Sequence, residues 1–367
     1  MPRIADLISY LEQIAPLAYQ EDYDNCGLLV GDRQATCSGV VVCLDVVEDV
    51  VDEAIAKGYN LIVAHHPVIF KGLKKITGAN YVERLLIKAI QHNIAIYAIH
   101  TNLDNIEAGV SGMLAKKLNL INTQILSPKK GLLSKLVTYV PVADTDNVLQ
   151  GIFAAGAGSI GNYSECSYTV TGTGSFRPNA VANPTIGEAD KLERVEENRI
   201  EIIYPNYLER QVVAALHKNH PYEVPAYDLL ALGNKSSDVG SGCIGELEQS
   251  MSKEDFLAYI SAELSLSCIR YTTAFQGEIK KIALCGGSGS FLLKTAITSK
   301  ADVLITADFK YHDFFDAENK ILVCDIGHYE SEIHTKELLK DVLTKKFVNI
   351  AVVLSSIHTN PIGYYKL

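Results

Sequence analysis

Two adjacent histidines, His65 and His66, end the apolar run Leu61-Ile62-Val63-Ala64 and are followed by Pro67. Imidazole is the commonest side-chain metal ligand and a ready acid or base near neutral pH. A short run rich in Ile and Val reads as a buried parallel strand. In open α/β sheets, ligands gather outside the carboxyl ends of such strands, where this pair falls. Consecutive strand residues point to opposite faces, so the pair cannot grip one ion from a regular strand. Splayed where the strand unwinds into a loop, each can serve a different ion. Pro67 disfavours helix at His66 and supports an extended exit. Alone, the pair reads most simply as two ordinary loop histidines; further residues of the same kind change that.

The run from Ile94 to Ile99 leads into His100-Thr101-Asn102-Leu103-Asp104, and the run from Ile321 to Asp325 leads into Gly327-His328-Tyr329-Glu330-Ser331-Glu332. His328 and Glu332, four apart at the start of a helix, share one face, a spacing that suits metal ligation. Singly, a helix N-terminal charge pair accounts for His328 and Glu332, and a turn or cap for Asp104. Together His65, His66, Asp104, His328 and Glu332 make three imidazoles and two carboxylates. That exceeds the three protein ligands of an open catalytic zinc and suits two divalent ions sharing a carboxylate. The expected sharing places His65 and His328 on one ion, and His66 and Asp104 on the other. Imidazole-rich ligation favours zinc first, with iron or manganese next, over magnesium. His100 and His312 are the candidate catalytic acid–base groups, with satisfied, partly buried histidines as the equal alternative; Asp308 is a weaker case of the same kind.

The elements that must position these residues alternate strand and helix. Residues 40–45, 61–64 and 94–99 read as strands, separated by helices through Val50, Val51, Ala54 and Ile55, and from Tyr81 to Gln91; a helix from Ile4 to Ile14 precedes them. The texture changes near Ser127-Pro128-Lys129-Lys130. Strands at 135–141, 166–170 and 199–204, helices at 145–154 and 208–219, and an extended piece at 220–225 give the βαββαβ order of a small ferredoxin-like α+β domain. Residues 233–238 read as the linker out of it. The first pattern then resumes, with strands at 281–285, 302–306 and 321–325. The expected fold is therefore α/β. Two related α/β halves, residues 1–128 and 233–367, form one core that carries the insert, residues 129–232.

The 367 residues suit two or three domains. Hydrophobic residues at 48% and charged residues at 21% are ordinary for a globular protein. No run approaches a membrane span. The start, Met1-Pro2-Arg3-Ile4-Ala5-Asp6, leads into an acid-bearing helix unlike a signal peptide. A cytoplasmic location away from membranes is expected. A net charge of -10 argues against a broad nucleic-acid surface. The eight cysteines are scattered with no Cys-x-x-Cys, which argues against a thiolate zinc site or redox pair. Gly240-Ser241-Gly242-Cys243-Ile244-Gly245 fits G-x-G-x-x-G but follows no clear strand, so a dinucleotide fingerprint is rejected. Gly286-Gly287-Ser288-Gly289 lies between strand and helix as an anion-binding turn would, though a tight connection is the simpler expectation.

These motifs carry a resemblance. Ala64-His65-His66-Pro67, the segment His100 to Asp104, Thr306-Ala307-Asp308 with Tyr311-His312, and Gly327 to Glu332 are similar to the Nif-three-like family, also called GTP cyclohydrolase I type 2 homologues. Asp24-Asn25-Cys26-Gly27-Leu28 and Leu44-Asp45 match its early motifs, and the middle third resembles the PII-like insert of its longer members. Ala307 stands where that family usually has glycine and Tyr23 where it usually has tryptophan. The resemblance implies a dinuclear metal centre on His65, His66, Asp104, His328 and Glu332, with Glu332 as the bridge. It also implies a toroidal homohexamer with the metal sites lining an inner chamber. Two functions follow as expectations: a metal-dependent hydrolase of a nucleotide or phosphoester, or a non-enzymatic metal-sensing or regulatory scaffold.

Overall fold

The strands Val40–Cys43, Leu61–Ala64 and Ala95–Ala98 lie side by side and parallel, in a register that matches Cys43 to Ala64 and Ala64 to Ala98. Extending that register by two residues aligns Asp45, His66 and His100 in one row. Backbone pairing continues past the strand ends, with His65 N–H donating to Cys43 O at 3.2 Å, His66 N–H to Leu44 O at 2.9 Å and Ile99 N–H to Ala64 O at 2.9 Å. The histidines are thus fixed by the sheet itself. Gly27–Val30 pairs antiparallel along one edge, and Val352–Leu354 pairs parallel along the other. The computed structural model describes residues 1–365.

Both faces of this sheet are covered, which is why its strands read as unbroken apolar runs. Val42, Val63 and Tyr97 meet Leu7, Leu11 and Leu339, from the helices Ile4–Ile14 and Thr335–Lys346. Val41, Ile62 and Ile96 meet Val50, Ala54, Leu85 and Ala89, from the helices Glu48–Lys57 and Tyr81–Gln91. Gly58 stops the first of that pair: it sits at φ +68°, a left-handed cap that other L-residues resist.

A second sheet runs in the order Arg270–Tyr271, Leu322–Asp325, Val303–Ala307, Ile279–Ser288, Lys235–Met251, Ile121–Lys130. Its central strands are parallel, with Thr306 opposite Asp325, so the helix His328–Glu332 begins just beyond their carboxyl ends. The two α/β layers interlock. The late strand Val352–Leu354 completes the first sheet, while Ile121–Lys130 edges the second. The helix Val110–Lys117 puts Val110 into the first core, and Leu114 and Ala115 into the second.

Chain contacts divide the molecule into two units, Met1–Pro128 with Asp238–Leu367, and Lys129–Ser237. In the latter, the strands run in the order Tyr168–Phe176, Glu193–Pro205, Leu133–Pro141, Tyr227–Leu232, every neighbouring pair antiparallel. One face packs Leu136, Ile200 and Ile202 against Val148, Ile152, Val212 and Leu216 of the helices Thr145–Ala154 and Glu209–Asn219. A cavity of about 640 Å³ within the same unit is lined by Tyr139, Val170, Phe176, Glu197 and Tyr222, among others.

Two expectations are corrected. Residues 233–238 are not a linker throughout, because Lys235 opens the 17-residue strand Lys235–Met251. The exposed start of that strand needs no apolar side chains, so it reads as loop. The extended piece expected at 220–225 is irregular, and the strand is Tyr227–Leu232. Pro221 and Pro225 lack the N–H groups a ladder needs. Cys43, Cys285 and Cys324 are buried free thiols, as their apolar surroundings suggest. Among the described residues, no helix is long and apolar enough to cross a membrane.

Candidate metal centre

The strand ends of both sheets bring one cluster together. Glu332, only 3% exposed, presents Oε2 at 2.9 Å from His66 Nε2 and 3.1 Å from His328 Nε2, and the two ring nitrogens are 3.4 Å apart. Its Oε1 lies 3.9 Å from His65 Nε2, which is 3.5 Å from Asp104 Oδ1. The carboxylate of Glu332 therefore faces His66 and His328 with one oxygen, and His65, beside Asp104, with the other. This grouping of side chains differs from the expected sharing, which sets His65 with His328 and His66 with Asp104. The two consecutive rings, with centroids 4.9 Å apart, meet opposite oxygens of the same carboxylate, and the register of the sheet, not visible in the sequence, decides which partner each one meets. The ring nitrogens of His65, His66 and His100 also lie within 4.8 Å of one another.

Each imidazole is tied off on its far side. The Nδ1 of His65 bonds Ile99 O at 2.9 Å, that of His66 bonds Asp45 Oδ1 at 2.7 Å, that of His100 bonds Asp24 Oδ1 at 2.8 Å and that of His328 bonds Asp308 Oδ2 at 2.6 Å. With Nδ1 committed outward, Nε2 is the atom turned to the centre, and once it carries no proton its lone pair is free for an ion, the arrangement typical of metal-ligating histidines. Asp24 is itself held by Thr101, through both its backbone N–H and its hydroxyl.

Inside this ring, His65 Nε2, Asp104 Oδ1 and Glu332 Oε2 are buried with no hydrogen-bond partner. The short approaches to Glu332 Oε2 are close contacts that lack hydrogen-bond geometry. Buried polar atoms are otherwise almost always paired, because leaving one unpaired costs about 1–3 kcal/mol. Three orphans at one point, from two carboxylates and an imidazole, fit a cation.

The proton affinities reflect the same crowding. Burial alone would depress His66, but Asp45 and Glu332 outweigh it and hold it up at about 10. His328, opposed by burial but drawn up by Glu332 and Asp308, stands at about 9. Burial dominates at His65 and takes it down to about 4, in spite of Glu332. Burial and the charge of Glu332 raise Asp104 well above its ordinary value. Burial would raise Glu332 as well, but His328, His65 and His66 hold it well below.

The glycine turn has a structural purpose here. The N–H groups of Gly286, Gly287 and Gly289 donate to the hydroxyls of Ser111, Ser331 and Thr306, so these amides are not free to cradle an anion. Gly287 sits at φ +63°, and a Cβ there would stand 2.3 Å from Glu332 Oε1. Gly287→Ala is expected to displace the carboxylate and weaken uptake of divalent metal at least tenfold, as read by calorimetric titration. Unchanged affinity would mean that Glu332 is not fixed from this side.

A cavity of about 220 Å³ opens onto the cluster, lined by Tyr23, His100, Asp104, Ser241, Phe291 and Glu332, among others. His65, His66, His100, Asp104, His328 and Glu332 thus come together. His312 does not: it is exposed on the 3₁₀ helix Tyr311–Ala317, stacked on Phe315, and outside this cavity's lining. Three carboxylates behind the imidazoles, Asp24, Asp45 and Asp308, matter more than their places in the sequence suggested. The one signal for them was position, since Asp24, Asp45 and Asp308 each sit in a motif that carried the resemblance.

The model of the Duf34/NIF3 (NGG1p interacting factor 3) family matches residues 2–361. The chain belongs to the Duf34/NIF3 family. It is 38% identical over 367 residues to a Staphylococcus aureus protein named GTP cyclohydrolase 1 type 2 homolog, covering 99% of this chain and 100% of that one. A Bacillus subtilis protein of the same name is 38% identical over 364 residues, covering 98% of this chain and 97% of that one. Among solved structures, a Bacillus cereus protein related to NIF3 superimposes with a TM-score of 0.85 at 36% identity, covering 99% of both chains. The shared architecture of this Duf34/NIF3 chain and that relative is mixed α/β with several sheets.

Proposed function

We propose that this Duf34/NIF3 protein is a metal-dependent hydrolase that holds two divalent ions per chain. His66 and His328 would hold one ion and His65 and Asp104 the other, with Glu332 shared between them. The observation that carries this reading is the set of buried atoms without a hydrogen-bond partner, His65 Nε2, Asp104 Oδ1 and Glu332 Oε2, inside a ring of imidazoles whose Nδ1 atoms are all tied off. The imidazole-rich donor set supports zinc first, then iron or manganese. Such ions supply Lewis acidity to a carbonyl or phosphoryl oxygen and acidify water near neutral pH.

The chain's own groups supply the rest. His100, oriented by Asp24 and lining the cavity, is placed to take or give a proton at Nε2. Asp24 stays ionised to hold that ring: burial opposes its ionisation, but the hydrogen bonds of His100 and Thr101 prevail. Tyr23 and Phe291 stand at the cavity as apolar walls for a substrate of the nucleotide or phosphoester class. His312 has no part in this reading. The homohexamer implied by the family resemblance belongs to the same proposal, as does a cytoplasmic location.

A second reading, a non-enzymatic metal-sensing or regulatory scaffold, draws on the unit Lys129–Ser237. Its βαββαβ order and antiparallel sheet agree with a ferredoxin-like, PII-like module, and its cavity of about 640 Å³ is in the range of small-molecule sites. The deciding experiment is a hydrolysis screen of nucleotides and phosphoesters with metal-reconstituted protein and a Glu332→Ala control. Turnover that disappears in the control supports the enzyme. No Glu332-dependent turnover across the panel favours the scaffold. His100→Ala should slow any such turnover by about a hundredfold or more while leaving metal content near wild type; full activity would remove His100 from the mechanism.

A further inference from the structure

The chain leaves the first sheet at Leu354 and returns past Asp45 and the helix His328–Glu332. Ser355 N–H still pairs with Val42 O at 2.8 Å, and the hydroxyls of Ser355 and Ser356 hold Glu53 at 2.6 and 3.0 Å. With the start of the segment anchored, Thr359 Oγ1 donates to Asp45 Oδ2 at 2.7 Å, and the other oxygen of Asp45 holds His66 Nδ1 at 2.7 Å. One residue on, Asn360 Nδ2 donates to Glu330 Oε1 at 3.1 Å, within the helix that carries His328 and Glu332. The His358 ring lies against Tyr329 of the same helix, with centroids 5.0 Å apart.

We infer that residues 355–360 form a clasp that positions the candidate metal ligands of both α/β layers at once, with Thr359 and Asn360 as its positioning residues. The segment reaches His66 through Asp45 on one side and the His328–Glu332 helix through Glu330 and Tyr329 on the other. These two sides must meet for His66 and His328 to face the same oxygen of Glu332. Neither Thr359 nor Asn360 contacts that oxygen. Their effect passes through the orientation of the His66 ring and the seating of a five-residue helix, which is too short to hold its own position without tertiary contacts. Outer partners of ligating histidines typically govern metal affinity by about 10–100-fold.

This inference rests on the metal reading above, and its test separates the two. Metal-free wild type, Thr359→Val, Thr359→Ser and Asn360→Ala are titrated with cobalt(II) alone, following heat and the visible absorption bands. Thr359→Val keeps the size of the side chain and removes the donor to Asp45, while Thr359→Ser keeps the donor. The expected result is two ions in wild type, and about tenfold weaker binding of one of them in Thr359→Val with an altered cobalt spectrum. Near wild-type behaviour should return in Thr359→Ser, and Asn360→Ala should weaken the same ion. A wild type that takes up no cobalt overturns the metal reading itself. A wild type that binds normally beside an unchanged Thr359→Val and Asn360→Ala overturns the clasp alone. So does a Thr359→Ser as weak as Thr359→Val, because the hydroxyl would then not be the group that matters.

Discussion

Glu332→Gln is expected to weaken binding of at least one divalent ion by about a hundredfold or more, and to abolish any metal-dependent turnover, while the protein stays folded. Glu332 is nearly fully buried, and both its oxygens face imidazole nitrogens across the cluster. The amide keeps the shape but loses the charge and offers one oxygen where the carboxylate offers two. A buried acid also carries a desolvation cost that its partners must offset. Above pH 8 the amide escapes that cost, and His66 and His328, no longer drawn up by Glu332, can shed their protons. The metal-free variant should therefore melt within a few degrees of metal-free wild type at that pH. Dialysis with elemental analysis measures the loss of metal, and a circular dichroism melt tests the fold. Full metal content in Glu332→Gln would remove the shared carboxylate from the account.

Metal uptake near neutral pH is expected to release at least two protons per chain, from His66 and His328, because ligating imidazoles must be neutral, with the raised carboxyl of Asp104 adding to the count. In the metal-free fold these rings are held at about 10 and about 9, mainly by carboxylates that overcome burial. Both values lie above the unfolded value of about 6.5. Their contribution to the stability of the metal-free protein is thus fully present below about pH 6.5 and is lost as pH rises through 9 and 10. Metal affinity has the opposite trend. It should rise with pH across 6.5 to 9, by up to about tenfold per unit for each proton displaced. Calorimetry in buffers of different ionisation enthalpy counts the protons. Uptake that is independent of buffer and flat with pH would contradict the cluster as the binding site.

Much of this centre was legible because strand ends leave a signature. An Ile/Val-rich run that stops at His or Asp says both where a strand ends and what stands there, as at Ala64-His65-His66 and at His100 to Asp104. The helix spacing of His328 and Glu332 was equally plain. What the chain could not show was which side chains meet. That depends on sheet register, which aligns Asp45, His66 and His100, and on the interlocking of two sheets far apart in sequence. His312 looked like His100 in the sequence because both are histidines near a motif. Only packing separates a ring lining the cavity from one stacked on Phe315 at the surface.

The fold divided along the same line. Fully buried parallel strands and amphipathic helices such as Tyr81–Gln91 announce themselves by their pattern. The helix Val110–Lys117 was missed because its apolar residues serve two cores and so form no single stripe. The helix Lys253–Glu263 was missed although Ser252 caps it by accepting from Asp255 N–H, a Ser-x-x-Asp signal present in the sequence. Lys235–Met251 hid behind a polar start. Val352–Leu354 is only three residues long, too short for alternation to speak, yet it closes an edge of the first sheet and begins the path to Thr359.

The proposed dinuclear centre is tested most directly by counting ions. Protein stripped of metal, reloaded with excess zinc, desalted and analysed by mass spectrometry of the elements should carry two zinc ions per chain. His65→Ala and His328→Ala should each carry fewer than two. One ion or none in carefully reloaded wild type, or two in both variants, would contradict the assignment of these residues.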